Sequence, residues 1–195
     1  MNICVYGSAS ELIDSKYKDV TYDLCFNLAK RGHSLVFGGG SHGVMGASAR
    51  GFHDGGGTIT GVIPEFFKQS MPEVLYEYSD ETIWCKTMHE RKQIMEERAD
   101  AFIIAPGGVG TYDEFFSVLT EKQLDTHIKP IAVFSPFKFY KSIDGVFETA
   151  IDGKFVKPTC LKLFKSFDNA FELIKYIESD EPFEFLKDKK PLKDG

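Results

Sequence analysis

Ala105-Pro106-Gly107-Gly108-Val109-Gly110-Thr111-Tyr112-Asp113-Glu114 follows a strand-like run at 100–104 and leads into a helix-like segment. A strand that ends in glycines and opens a helix makes an anion site. Gly107, Gly108 and Gly110 carry no side chain to keep a phosphate off the backbone, and the first-turn N–H groups of the helix, backed by its dipole, have no intrahelical acceptor. Thr111 can cap that helix with its hydroxyl or donate to the same phosphate, and Glu114, three residues on, completes a capping-box spacing. Glu114 thus has two readings: a capping partner, or a carboxylate beside a bound nucleotide's sugar. Asp113 reads as a favourable charge in the first turn, with a working carboxylate as its alternative.

A second glycine cluster, Gly38-Gly39-Gly40-Ser41-His42-Gly43-Val44-Met45-Gly46, follows the apolar run 34–37 and precedes a segment rich in Ala and Ser. Two strand-to-helix glycine turns imply one shared ligand crevice at the carboxyl ends of parallel strands. Upstream of the first loop, Met88-His89-Glu90-Arg91-Lys92 places cations on the helix that leads into the preceding strand. By themselves Arg91 and Lys92, set among Glu90, Glu96 and Glu97, read as a solvated salt-bridged surface.

Strand-like runs recur at 3–6, 34–37, 58–63, 74–78, 101–105 and 130–134, with helix-like segments at 16–31, 43–54, 81–98, 111–123 and 139–152. In the first helix Tyr17, Val20, Leu24 and Leu28 form one stripe that Gly32 closes. A short strand is expected at 161–164 and an amphipathic helix at 169–178 through Phe171, Ile174 and Ile177. This alternation selects an α/β fold: a doubly wound, mostly parallel, Rossmann-like sheet in a single domain over 1–180, followed by a charged tail at 181–195. Segment 64–72 is too short for a clear helix and reads as a surface loop, with a lid or subunit-contact loop as the alternative.

With 195 residues, 43% of them hydrophobic, the chain can bury one substantial core. A net charge of −6 argues against nucleic acid or an anionic membrane as a global partner, whereas a small phosphate needs only a local positive pocket. Cys4, Cys25, Cys85 and Cys160 are dispersed without a C-x-x-C pair, which fits reduced thiols in a cytoplasmic protein. The start Met1-Asn2-Ile3-Cys4-Val5-Tyr6-Gly7 reads directly as a strand without a signal peptide, and no apolar run is long enough to span a bilayer. Neither H-E-x-x-H nor G-K-[ST] occurs, so neither a metal site nor an ATPase loop is expected. The 18 phenylalanines against one tryptophan are assigned to core packing, with an apolar ligand cleft as the alternative.

Together these motifs resemble the Lonely Guy family of cytokinin-activating phosphoribohydrolases. The P-G-G-x-G-T-x-x-E hallmark is Pro106 to Glu114, its M-x-x-R-K element is Met88 to Lys92, its G-G-G-S-x-G-x-M-G is the cluster from Gly38, and its G-V-I-P is Gly61 to Pro64. The resemblance implies hydrolysis of the N-glycosidic bond of an adenosine 5′-monophosphate, N6-substituted or plain, to free base and ribose 5-phosphate, with no cofactor and no metal. It implies Arg91 and Glu114 as catalytic residues. Substrate contacts carried over are Glu73, Arg91, Lys92, Gly107, Gly108, Val109, Gly110, Thr111, Tyr112, Asp113, Glu114 and Thr120, with Gly40, Ser41 and Met88 as pocket candidates. A homodimer whose subunits share sites is implied as well. Tyr112-Asp113 stands where Leu-Glu is common, and Glu121-Lys122-Gln123-Leu124 where Trp-Ala-Gln-Leu is frequent. The lysine decarboxylase label sometimes attached to the family finds no pyridoxal-phosphate lysine with supporting partners here.

Two non-catalytic readings compete. Gly38-x-Gly40-x-x-Gly43 formally satisfies a dinucleotide fingerprint, with Glu65 near the end of the next strand as the ribose acid. A nucleotide-like cofactor carrier would use the same glycines without needing Glu114 and Arg91.

Overall fold

The computed structural model describes residues 1–70 and 74–179. Its centre is a seven-stranded sheet in the order β4-β3-β2-β1-β5-β6-β7, every neighbouring pair parallel. The strands are β1 (Asn2–Tyr6), β2 (Ser34–Phe37), β3 (Ile59–Pro64), β4 (Glu81–Cys85), β5 (Ala101–Ile104), β6 (Ile131–Phe134) and β7 (Lys165–Phe167). The helices are α1 (Ser15–Lys30), α2 (Gly43–Gly55), α3 (Glu65–Ser70), α4 (Met88–Arg98), α5 (Val109–Gln123), α6 (Lys141–Asp152) and α7 (Ala170–Glu178). The expected single-domain, doubly wound α/β architecture is therefore present, and its sheet is parallel throughout.

Alternation along each strand splits the core into two layers. In β1, Ile3 and Val5 join Leu24, Leu28, Phe52 and Leu173 on the side of α1, α2 and α7. Cys4 and Tyr6 join Met95, Phe115, Val118 and Phe147 on the side of α4, α5 and α6. This period of two, with both faces buried, is what a parallel sheet covered by helices requires. The order of strand addition runs one way from β1 to β4 and the other way from β5 to β7, so β1 and β5 flank the switch point, where the flanking connections leave to opposite faces and a crevice opens at the carboxyl ends.

Several boundaries differ from the sequence reading. Residues 74–78 form no strand: Leu75 makes only an isolated antiparallel bridge to Gly40, and the place beside β3 is taken by Glu81–Cys85. The helix expected over 81–98 is thus a strand followed by a shorter helix. Its true start carries a readable signal, because Thr87 caps α4 by accepting the Glu90 N–H at 3.1 Å while the Glu90 carboxylate accepts the Lys86 N–H at 2.7 Å. Segment 64–72 contains the short helix α3. The strand expected at 161–164 is a 3-10 turn, Pro158–Lys162, with the strand displaced to Lys165–Phe167. Pro158 at the first helical position presets the turn. The helix expected over 139–152 begins at Lys141, because Phe137 and Lys138 adopt left-handed backbone angles (φ 57° and 58°) that break it from the turn before. The proposed tail at 181–195 lies outside the described residues.

Candidate active site

Strand β5 ends at Ile104, and Ala105 still makes a rung with β1 by donating its N–H to the Tyr6 carbonyl at 2.8 Å. The chain then passes through Pro106, Gly107 and Gly108 into α5, whose N-cap is Gly108 and has no side-chain capping bond. The first intrahelical bond of this turn is from the Tyr112 N–H to the Gly108 carbonyl, so the N–H groups of Val109, Gly110 and Thr111 have no acceptor within the helix. Thr111 therefore does not cap the helix: it stands third within it, its side chain packed over Gly107. Asp113 likewise lies beyond the first turn, and its carboxylate pairs with Lys92 Nζ at 2.9 Å.

Glu114 is not a capping partner either. One turn past the open N–H groups, it enters the core and meets Arg91, whose Nη1 donates to Oε1 at 3.0 Å. Arg91 is 5% exposed and Glu114 7% exposed, so the solvated salt bridge read from the charge pattern is overturned. Arg91 Nε donates to the Val62 carbonyl at 3.2 Å, and the guanidinium lies against Gly38, where a Cβ would collide with it. Gly38 is thus a glycine because a buried cation occupies the space. Burial lifts the Glu114 carboxyl above its ordinary value, while the charge and hydrogen bond of Arg91 pull it back.

The two glycine loops meet as expected. A cavity of about 490 Å³ is lined by Gly108, Gly110, Thr111, Arg91 and Glu114 from one side and by Gly38, Gly40 and His42 from the other. Gly7 and Ser8 at the end of β1 complete its floor, and Met45, Ile63, Phe67, Val74, Leu75 and Met88 supply an apolar wall. Sequence reasoning did not single out Gly7, Ser8, Phe67 or Leu75. The first two follow from the crossover position of β1, but nothing local marks the others. Val74 and Leu75 reach the cavity because Ser41 and Tyr76 donate their N–H groups to Val74 and Gly39 carbonyls at 2.7 and 2.8 Å. Ser41 itself is not in the lining: its Oγ donates to the Val74 carbonyl at 3.0 Å.

The remaining sequence-derived residues surround the cavity rather than line it. Lys92 and Asp113 form their ion pair outside it, Tyr112 packs edge-on against Tyr140, Val109 is 86% exposed, and Thr120 lies exposed further along α5. Gly107 sits in the turn beneath Thr111. Glu73 lies outside the described residues.

The second helix N-terminus is already occupied. The Gly43 N–H donates to Glu11 Oε1 at 2.6 Å and the Met45 N–H to the Ser8 carbonyl at 3.0 Å. A carboxylate of the chain itself thus sits where a dinucleotide pyrophosphate would bind, which removes the main support for that reading. Among the described residues no group of three or more His, Cys, Asp or Glu side chains converges as metal ligands, and no helix is long and apolar enough to cross a membrane.

An open helix N-terminus, a buried guanidinium–carboxylate pair and an apolar wall thus gather at the switch point of a parallel, Rossmann-like sheet. The chain belongs to the Lonely Guy (LOG) family: the family model described as "Possible lysine decarboxylase" matches residues 45–177. It is 37% identical over 180 residues to LOG2, a cytokinin riboside 5′-monophosphate phosphoribohydrolase of Arabidopsis thaliana, covering 92% of this chain and 84% of that one. With LOG3 of the same plant the identity is 38% over 181 residues, covering 92% and 83%. Among solved structures, the molybdenum cofactor carrier protein of Chlamydomonas reinhardtii superposes with a TM-score of 0.69 at 20% identity, covering 95% of this chain and 98% of that one. At that identity the likeness concerns the fold alone. No lysine appears in the described cavity lining, so the decarboxylase wording of the family model finds no Schiff-base candidate there.

Proposed function

We propose that this protein hydrolyses the N-glycosidic bond of a nucleoside 5′-monophosphate, an adenosine monophosphate with an apolar N6 substituent. Water attacks C1′ of the ribose, the C1′–N9 bond breaks with its electron pair passing to the base, and ribose 5-phosphate and free base leave. The observation that carries this reading is the junction of the open N–H groups at Val109–Thr111 with the buried Glu114–Arg91 pair in one cavity.

The 5′-phosphate would take the N–H groups and the Thr111 hydroxyl. One helical turn on, about 5 Å of rise, Glu114 is within reach of the ribose. There its carboxylate can take a proton from the attacking water or stabilise the positive charge that develops on the sugar ring. Arg91 opposes the rise that burial imposes on that carboxyl and fixes its orientation. The apolar side chains Met45, Ile63, Phe67 and Leu75 favour a hydrophobic base substituent over plain adenine. Plain AMP as main substrate is the second reading, and it keeps the same residues in the same roles. A homodimer, as the resemblance implies, belongs to the same proposal.

Incubation with AMP, isopentenyl-AMP, the matching ribosides and NAD, followed by chromatographic resolution of products, tests the proposal. Base release from monophosphates and not from ribosides is expected, fastest from the N6-substituted nucleotide. Tight NAD binding without base release would replace it with the dinucleotide reading.

A further inference from the structure

The phosphate loop is held from below by a residue that no motif in the sequence marks. Tyr140 precedes α6, is 3% exposed, and donates its Oη proton to the Ala105 carbonyl at 2.7 Å. Ala105 is where the last β1–β5 rung ends and the glycine turn begins. The hydroxyl therefore fixes the peptide group that enters Pro106. On the opposite side of the loop, Ser8 donates its N–H to the Pro106 carbonyl at 3.1 Å. The turn is thus fixed at both edges.

The ring that carries this hydroxyl is itself locked. The Tyr140 N–H donates to Ser135 Oγ at 2.9 Å, Phe139 meets the ring edge-on at 4.8 Å, and Tyr112 meets it edge-on at 5.7 Å. Tyr112 belongs to α5, so the contact couples Tyr140 to the helix as well as to the loop. The left-handed residues Phe137 and Lys138 turn the chain after β6 so that Tyr140 arrives at the loop. Non-glycine residues hold such angles only where surrounding contacts over-determine them.

We propose that Tyr140 is a positioning residue for phosphate binding: through the Ala105 carbonyl and the Tyr112 ring it sets the direction of the first-turn N–H groups of α5 without touching the substrate. This rests on the phosphoribohydrolase reading for its kinetic consequence but not for its binding consequence. Backbone donors recognise a phosphoryl group only when aimed at it, so loss of the hydroxyl should fall on phosphate affinity and spare the chemistry at Glu114.

The test is Tyr140→Phe in the full chain, which keeps the ring and removes the hydrogen bond to Ala105. Titration with inorganic phosphate and with ribose 5-phosphate should show affinity weakened about tenfold, as expected for one misdirected hydrogen-bond set. KM for the nucleotide should rise by the same factor while kcat changes less than about twofold. A merely structural tyrosine would lower the active fraction, and with it kcat, at unchanged KM and unchanged phosphate affinity. That pattern overturns the proposal. Should Tyr140→Phe fail to fold, Ser135→Ala, which frees the Tyr140 N–H, is expected to weaken phosphate binding about threefold by the same route, and wild-type affinity there also overturns it. Wild-type protein that binds phosphate but releases no base would refute the catalytic reading alone. Active protein whose Tyr140→Phe variant keeps full phosphate affinity would refute only the role of Tyr140.

Discussion

Replacing Arg91 with methionine removes one partner of a buried ion pair while keeping an unbranched side chain in the space beside Gly38. Glu114 would remain 7% exposed with no cation at 3.0 Å, and the Val62 carbonyl would lose its donor. Breaking a buried pair from one side costs about 3–5 kcal/mol, most of it the penalty on the charge left behind. Removing both charges in Arg91→Met/Glu114→Gln should recover most of that loss and leave about 1–2 kcal/mol for the unpaired carbonyl and amide. The pH dependence follows in sign. Burial already raises the Glu114 carboxyl above 4.5, and loss of Arg91 raises it further. A carboxyl that binds its proton more tightly folded than unfolded makes stability fall as pH rises from the ordinary carboxylate range through the raised value. Urea unfolding at pH 5 and pH 8 should therefore show Arg91→Met losing much more stability at pH 8, with the double variant nearly level. If the single variant costs less than about 1 kcal/mol, or its pH slope equals that of the wild type, the pair is not the buried, mutually dependent unit argued above.

Three further outcomes are expected. Glu114→Gln keeps an acceptor for Arg91 but leaves its charge uncompensated, so it should lose stability and, per folded molecule, turn over nucleotide at least about tenfold more slowly; unchanged kcat would remove this carboxylate from the mechanism. Gly43→Ala should lower stability by about 1–3 kcal/mol in urea titration, from strain and collision at a left-handed position; φ there is +59° and a Cβ would stand 2.5 Å from the Ser8 carbonyl oxygen. Glu96, held by burial and by the neighbouring Glu121 at a pKa of about 7, should make stability fall as pH rises from 4.5 through 7. Glu96→Gln should flatten that part of the profile, measured by thermal midpoints across buffers, and an unaltered slope would place the titration elsewhere.

The sequence by itself determined the parallel α/β architecture, the glycine turn that opens α5 and the joining of the two glycine clusters. Period-two apolar runs, stripes of three to four and glycines after strands are local signals that tertiary contacts here reinforce. It also carried the Thr87-x-x-Glu90 cap that separates β4 from α4, although the long helical stretch obscured it. Only the tertiary structure decided the state of the charges. Arg91 among glutamates has a surface pattern, and it is buried because β3 and the Gly38 turn close over the helix face that carries it. Likewise Glu11 fills the N-terminus of α2, and Tyr140, far off in sequence, reaches the glycine turn at Ala105. Those pairings depend on which elements become neighbours in space, and one-dimensional periodicity holds no record of that.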